Sequence, residues 1–429
     1  MNGDQLDRHA EFMGEHQRDT REVRAAASDE FHARGTLAVP PTPVKDSRVR
    51  RALPAIAVSV TLLAAWPASQ SAFHDPKRWV LVVAALIGAL ISLPKWRWTA
   101  LPLIALTAVQ TWHGAEAGLQ AMAFAWALAS WQADLRQFTR LVGAAAAVVG
   151  VVVLLQALGV DALGFATPEV GDGRLSVYGT LGNPDFVASM LLPIAILLLP
   201  SRHPRPVEGL LGLLIIIPAL IVTRSFATVL SAMVAGVVVS IHRHALSPTL
   251  SPSGRGRSWR SLRKPILAMC GLIALLGVGL IGRDLGQTIA GRGYLVSVAL
   301  PHVTDAPLLG HGLGSTVLAW PTWELSFWQA RCPDAACVSA DPRHVFAALQ
   351  DHVHADWLEW MLERGLLGFF ALLLALSAPL LAAWKSEDSL LLAAMSALLA
   401  RSLVDFPLHR PADLCLLAAL AACATSSRA

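Results

Sequence analysis

Long apolar blocks separated by short polar connections constrain the fold of this chain more than any other feature. Each block approaches the length that a helix needs to cross a hydrocarbon core about 30 Å thick. The 429 residues are 55% hydrophobic and only 15% charged, and this is too little charge to cover the surface of a soluble protein of that size. We therefore predict an all-α polytopic membrane protein with about twelve transmembrane helices. The predicted spans are 52–69, 79–94, 98–112, 115–132, 141–160, 186–200, 207–223, 228–242, 265–282, 363–384, 389–405 and 412–426.

The basic residues between the blocks predict the orientation of the chain. If the N-terminus is cytoplasmic, the basic clusters all fall on the cytoplasmic face of a multi-pass protein of the inner (cytoplasmic) membrane, as the positive-inside rule requires. The net charge of +4 then follows from topology and does not indicate a nucleic-acid partner. We expect 1–50 to be a disordered cytoplasmic tail, 51–429 to be the transmembrane domain, and both termini to be cytoplasmic. The clusters comprise Lys45, Arg48, Arg50, Arg51, Lys95, Arg97, Arg136, Arg140, Arg202, Arg205, Arg255, Arg257, Arg260, Arg263 and Lys264.

A large periplasmic loop is predicted at 283–353, and loops of this length are usually functional or disordered. Cys332 and Cys337 lie in it, and in an oxidising compartment they favour a disulfide over a zinc site, which would need two further ligands. The loop also carries Trp320, Trp323, Phe327 and Trp328 at helical spacing. This pattern is typical of an amphipathic helix at the membrane interface, and it also suits the wall of an acceptor cleft.

The motif 179–186 and three arginines on the predicted outer face are the first candidate binding groups. In Gly-Thr-Leu-Gly-Asn-Pro-Asp-Phe (179–186), Asn183 suits a helix N-cap and the following proline suits the first helical position. The motif is therefore either a well-capped helix or a set of free amides that faces an anionic headgroup. Arg174, Arg224 and Arg292 lie on the outer face, where topology disfavours positive charge. They suit lipid headgroups, or the diphosphate of a polyprenyl carrier.

Two later motifs carry the other candidate groups. The helix that enters the membrane near 351–368 places His354 and Trp357 on one face. His354 suits either a general base or an aromatic belt with an incidental histidine. With His352 and Asp356 it also suggests a metal site, but further ligands at convincing spacing are missing, so we predict none. The turn 405–411 follows, and Asp405 and Arg401 near a membrane boundary are costly enough to suggest pairing or a polar cavity.

In this order, the motifs resemble those of the O-antigen ligase and O-antigen polymerase family of lipid-linked glycan transferases. Residues 179–186 resemble the family's GTxGNPN motif, and 291–314 its arginine followed by PLLGxGxG. Residues 354–368 are similar to HNxYLQxxxExGxxG, and 405–409 to a late DFPL turn. The resemblance covers about 140–426. Ala355 stands where the family has asparagine, and Arg224 lies two positions from the arginine of its TxSR element.

The resemblance implies a GT-C-like bundle that transfers a glycan from undecaprenyl diphosphate to an acceptor hydroxyl at the periplasmic face. It implies no nucleotide sugar, no cofactor and no essential metal. His354 would activate the acceptor and Arg292 would hold the leaving diphosphate. Because no covalent nucleophile is evident, we expect an inverting displacement. Arg174, Arg224, Asn183, Asp356 and Trp357 are the expected substrate-binding residues.

Three functions within this family, and one outside it, fit these patterns. We favour the lipopolysaccharide ligase, whose acceptor is lipid A–core, over the O-antigen or exopolysaccharide polymerase and the protein O-oligosaccharyltransferase. A small-solute transporter would also have many spans. It should have charged or broken helices at the bilayer midplane, whereas here the polar residues gather at the outer boundary.

Overall fold

The computed structural model describes 44–65, 73–92, 97–110, 115–161, 163–164, 177–199, 206–245, 259–281, 283–341, 343, 352–386 and 388–426. Over these ranges the chain is helical and has no strand. Helices α1 to α15 are, in order, Val44–Leu63, Asp75–Ser92, Leu101–Gln110, Ala115–Ser130, Leu135–Ala157, Pro184–Leu198, Pro206–Thr223, Phe226–Ala245, Trp259–Gly279, Leu285–Ala299, Ser315–Gln329, Ala335–Ala340, Asp356–Lys385, Ser389–Arg401 and Pro411–Ser426. Short 3-10 helices occupy Trp98–Ala100, Leu300–Thr304 and Pro407–His409.

Each predicted apolar block overlaps a helix, but the predicted count of membrane spans is not confirmed. Among the described residues, three helices are long and apolar enough to cross a membrane by length and composition, namely Leu135–Ala157, Phe226–Arg243 and Asp356–Lys385. Six shorter apolar helices have 10–17 residues. They are Trp98–Gln110, Pro184–Leu198, Val207–Thr223, Leu267–Gly279, Ser389–Arg401 and Pro411–Ser426.

Two helices form the centre of the bundle. Every residue of α15 from Pro411 to Ala424 is buried, and α6 is buried from Val187 to Leu198. Both sequences are apolar on all sides, as a helix surrounded by other helices requires. The α15 helix packs against α2, α4 and α13, while α6 packs against α5, α7 and α14. This arrangement brings the chain segments that begin or end these helices to a common end of the bundle.

The predicted N-terminal tail falls largely outside the described residues. The α1 helix begins at Val44 and so runs through the expected boundary between tail and transmembrane domain at residue 50.

The predicted loop 283–353 is mostly helical in its described part, since it contains α10, α11 and α12. Its aromatic residues form an apolar cluster with the residues that lead into α13. Trp320, Trp323, Phe327 and Trp328 are all buried in it, so this face of α11 packs against other residues of the protein. A position at the membrane interface remains a prediction. Cys332 and Cys337 form the expected disulfide.

Candidate functional site

The start of α13 and the turn between α14 and α15 meet at one end of the bundle. The amide of Asp356 donates to the carbonyl oxygens of Ser402 and Asp405, at 2.9 Å and 3.2 Å. These bonds satisfy a donor at the first turn of α13, where no intrahelical partner exists. They also fix His354, two residues before α13, against Asp405 in the turn.

His354 has a strained backbone and an accessible ring. Its φ of 56° lies in the left-handed region, which costs a residue with a Cβ about 1–2 kcal/mol. Its side chain is 34% exposed, and its Nδ1 lies 3.6 Å from Asp405 Oδ1. Among the described residues this nitrogen has no hydrogen-bond partner. The ring packs edge-on against Phe406, with 4.8 Å between centroids. The imidazole is therefore positioned beside Asp405, which is too distant for a short hydrogen bond.

Asp405 is buried between two arginines. Its Oδ2 lies 2.8 Å from Arg401 Nε and 3.4 Å from Arg410 Nη1. Burial alone would raise the pKa of this carboxyl, but Arg410 and Arg401 hold the pKa well below its usual range. Asp405 is therefore ionised, and it presents its other oxygen to His354. The sequence-based pairing of Asp405 with Arg401 is confirmed.

Arg401 connects this turn to the starts of α6 and α8. Its Nη1 donates to Thr228 Oγ1 at 2.9 Å, and its Nη2 to the carbonyl of Asp185 at 2.7 Å. Ser225 Oγ donates to Asp185 Oδ1 at 2.5 Å. Because these groups are almost fully buried, the network has few ways to relax.

Arg410 extends the network into α15. Its Nε lies 2.6 Å from Asp413 Oδ2, and its Nη2 donates to Ser189 Oγ at 2.9 Å. Its guanidinium also lies over the ring of Phe186, 4.4 Å from the centroid. We call His354, Asp405, Arg401 and Arg410 the His354 group.

A second set of polar residues lies beside the His354 group. Asp356, Glu359 and Glu363 follow one another at helical spacing in α13 and are all buried. Asp356 Oδ1 lies 2.6 Å from His409 Nδ1, and Glu359 Oε1 lies 2.6 Å from His352 Nδ1. Burial would lower the pKa of His409, but Glu359, Asp356 and Glu363 outweigh it and raise the pKa well above its usual value. We call these five residues the histidine–carboxylate cluster.

A small cavity opens on the other side of Arg410. His74, Lys77, Phe186 and Asp413 are among the residues that line it. Burial and the charge of Arg410 lower the pKa of His74 to about 4, so this imidazole is neutral at physiological pH.

The glycine-rich stretch after Arg292 lies along a break in α13. Gly365 has φ 63° and ψ −173° inside the helix, and a Cβ there would lie 2.2 Å from the carbonyl of Leu308. The amide of His311 donates to the Leu362 carbonyl at 2.7 Å, and that of Leu366 to the Pro307 carbonyl at 2.8 Å. The two motifs thus form a backbone contact that only glycine permits. It fixes the helical turns that carry Glu359 and Glu363.

The predicted cap at Asn183 is confirmed. Its Oδ1 accepts the amide of Asp185 at 2.8 Å, and Pro184 occupies the first turn of α6. Asn183 thereby positions Asp185, which contacts Arg401. Free amides that face a ligand here remain a prediction.

Arg224 lies in the short connection between α7 and α8. It and His354 are the two non-glycine residues with positive φ in the part of the chain that the structure describes. Its Nη2 donates to the Ile281 carbonyl at 2.6 Å, and its Nε to that of Gly279 at 3.2 Å. These bonds tie it to the end of α9, while its neighbour Ser225 reaches the His354 group.

The other predicted site residues lie on separate elements of the chain. Arg292 is half-buried in α10, the helix whose Tyr294 and Leu295 pack in the same cluster as Val353 and Ala355. Trp357 packs against that cluster from α13. Asp356 is fully buried. Its carboxylate contacts His409 Nδ1 and accepts a hydrogen bond from the amide of Leu408, so it positions other groups. Arg174 lies outside the described residues.

The sequence patterns did not single out Glu359, Glu363, His409 and Arg410 as site residues, and they indicated His352 only as a candidate metal ligand. The spacing of the three carboxylates in 356–363 indicates one helix face. Nothing in the local pattern shows that the turn around His409 packs against that face.

The geometry defines an all-helical protein with helices apolar enough to span a membrane and a buried ionic site at the end of its central helices. No protein-family model matches the chain, and no curated protein matches it.

Proposed function

We propose that this protein is a glycan transferase of the inner membrane that resembles the O-antigen ligases, with about twelve helices embedded in the bilayer as a GT-C-like bundle. The His354 group then lies at the periplasmic face. There it joins a glycan from undecaprenyl diphosphate to the hydroxyl of an acceptor, which we take to be lipid A–core. The order of the four sequence motifs supports this proposal.

The single observation that carries the proposal is the conformation of His354. Strained backbone at a non-glycine residue persists where the surrounding structure enforces it, and it is concentrated at functional sites. His354 combines such strain with a side chain that is 34% exposed and lies beside an ionised aspartate. This is the environment that a general base needs, because the carboxylate stabilises the imidazolium that forms.

The proposed step is one inverting displacement. The acceptor oxygen attacks the anomeric carbon and loses its proton to His354. The bond between that carbon and the diphosphate oxygen breaks, and undecaprenyl diphosphate leaves with the electron pair. Arg292 binds the departing diphosphate through its planar guanidinium. The displacement itself needs no metal ion. A buried Asp405 remains charged throughout and keeps the imidazole oriented.

The test is the glycan profile of a deletion strain complemented with wild type, His354→Ala or Arg292→Ala at matched protein levels. We expect wild type to restore polymer on lipid A. With either alanine variant, polymer should remain on undecaprenyl diphosphate. Arg292→Lys should restore only part of the polymer on lipid A. His302→Ala is the control, because His302 also pairs with a carboxylate, Asp305 at 2.8 Å, but is not part of the His354 group.

Other profiles would redirect or overturn the proposal. Short unpolymerised repeats in the deletion strain would indicate the polymerase. Loss of glycan from secreted proteins, with normal lipopolysaccharide, would indicate protein glycosylation. A normal profile in every strain would contradict glycan transfer and favour a transporter.

A further inference from the structure

His352, Glu359 and His409 converge from three separate segments of the chain. His352 precedes α13, Glu359 lies in the first turn of that helix, and His409 ends the 3-10 turn after α14. Each offers one ligand atom, and the three atoms all lie within 4.8 Å of one another. Two imidazoles and a carboxylate form a donor set that divalent transition ions prefer.

The spacing of these atoms suits a common cation. His409 Nε2 lies 3.7 Å from Glu359 Oε1 and 3.7 Å from Glu363 Oε2, and His352 Nδ1 lies 2.6 Å from Glu359 Oε1. Ligand atoms bound tetrahedrally at about 2.1 Å are roughly 3.4 Å apart. The two longer gaps are close to this value, and His352 Nδ1 must move away from Glu359 Oε1 by under about 1 Å.

The orientation of His409 is the one that a metal ligand requires. Its Nδ1 is held by Asp356 Oδ1 at 2.6 Å, so Nδ1 carries a proton that it donates, and Nε2 points toward Glu359 and Glu363. A carboxylate behind a ligating histidine is the usual arrangement at metal centres, because it fixes the tautomer and the ring. The amide of Val353 donates to Glu359 Oε2 at 3.1 Å, which holds that carboxylate in the same way.

The charge of the cluster also favours a divalent ion. Three buried carboxylates from α13 face two histidines, and buried charges need paired or coordinated partners. The hydrogen bonds of the neighbouring arginines go to groups outside the cluster. Arg364 donates to Thr107 Oγ1 at 3.0 Å and stacks on Trp360, while Arg410 contacts Asp413 and Ser189.

We propose that His352, Glu359 and His409, with Glu363 as a fourth ligand, form a binding site for a divalent transition ion of the zinc class. His354 is not a ligand, and this proposal does not rest on glycan transfer. The ion would tie the segment before α13 to the turn after α14. Phe406 lies between the two sites, because the rings of His352 and His354 both pack on it, at 4.2 Å and 4.8 Å. From the sequence we expected no metal, because further ligands at convincing spacing were missing. His409 lies far along the chain from His352 and Glu359.

The test uses the full-length protein, purified in detergent and treated with a chelator. It is titrated with Co²⁺, whose visible absorption reports nitrogen and oxygen ligands, and Zn²⁺ is then added as a competitor. We expect one equivalent of Co²⁺ to bind, Zn²⁺ to displace it, and the melting temperature to rise with metal concentration. Glu359→Gln and His352→Gln should each bind Co²⁺ at least about 100-fold more weakly. His302→Gln should bind as wild type does.

Three outcomes would overturn the proposal. The first is that wild type binds no Co²⁺ at micromolar concentration. In that case the histidines and carboxylates share a proton and no metal ion occupies the cluster. The second is Glu359→Gln and His352→Gln variants with unchanged absorption, which would show adventitious binding elsewhere. The third is displacement of Co²⁺ from wild type by Mg²⁺ alone. If Glu359→Gln does not fold, the more exposed His352→Gln decides the question, and metal binding is measured independently of any transfer activity.

Discussion

The His354 group and the histidine–carboxylate cluster use the same chemical groups in different ways. In the former, His354 Nδ1 stays 3.6 Å from its carboxylate and the ring is a third exposed. In the latter, His352 and His409 each approach a buried carboxylate to 2.6 Å. An imidazole that acts as a base must keep one nitrogen open to the acceptor, whereas one that holds structure or a cation must be fixed on both sides. The distance to the carboxylate partner and the backbone strain therefore distinguish the proposed reactive histidine more than residue type does.

Among the substitutions considered, His354→Gly should most strongly separate stability from transfer activity. Glycine adopts positive φ without strain, so we expect the free energy of unfolding to stay unchanged or rise by about 1 kcal/mol. Loss of the base should reduce the transfer rate at least about 100-fold. Thermal unfolding and transfer by the same purified sample measure both. The neighbour Ala355 has an extended φ of −154°, so Ala355→Gly gains no such relief and should be destabilised. A clear loss of stability in His354→Gly would refute the inferred strain.

Arg401→Met should have the largest effect on stability. It leaves Asp405 buried with one partner fewer, and breaking a buried pair costs about 3–5 kcal/mol. Denaturant or thermal unfolding in detergent provides the measurement. Arg331→Met is the matched control, because Arg331 is exposed and lies over Phe327 at 3.8 Å, a contact that contributes about 0.5–1 kcal/mol. Equal effects of the two substitutions would show that the Arg401 network is not essential.

Glu359→Gln should destabilise the chelator-treated protein, opposite in sign to His354→Gly. The amide keeps the shape of the side chain but weakens its contact with His352 and leaves polar groups poorly satisfied, at a cost of about 1–3 kcal/mol. Melting temperatures of the two variants, measured in the same detergent, test the sign. If Glu359→Gln melted above wild type, the carboxylate would be a source of repulsion in this cluster.

Asp405 should affect the pH dependence of the free energy of unfolding only at acid pH. Because arginines depress its folded pKa, its contribution is complete above the unfolded value, about 3.9, and is lost as pH falls through the folded value. Wild type should therefore lose stability below about pH 4. Asp405→Asn should be less stable near pH 7 and should lack this part of the acid dependence. An unchanged acid dependence in Asp405→Asn would assign it to other carboxylates.

Much of the fold follows from the sequence, because long apolar blocks can only be buried or placed in lipid. Every block overlaps a helix, and the caps at Asn183 and the pairing of Asp405 with Arg401 follow from local rules. In 283–341 the spacing of Trp320 and Trp323 predicted one helix, but the helices Leu285–Ala299 and Ala335–Ala340 and the packing of this region with Val353 were not predicted. Local periodicity carries no signal for such long-range packing.

The site likewise has a part that local sequence patterns predict and a part that depends on long-range packing. Helical spacing predicts that Asp356, Glu359 and Glu363 share a face. The approach of His409 depends on the geometry of the turn that connects α14 and α15, which a single sequence does not specify. In the sequence, Gly310 falls in the predicted loop 283–353 and Gly365 in the predicted span 363–384. In the structure they permit a close backbone contact between two motifs, which neither motif reveals alone.

The most direct test of the proposed function is single-turnover transfer by purified protein from a defined undecaprenyl-diphosphate-linked glycan to lipid A–core. We compare wild type with His354→Gln at equal folded concentration and determine the anomeric configuration of the product by NMR. We predict a product of inverted configuration and a rate at least about 100-fold lower in the variant. Equal rates in the two proteins, or a product that keeps the donor's configuration, would contradict the role assigned to His354.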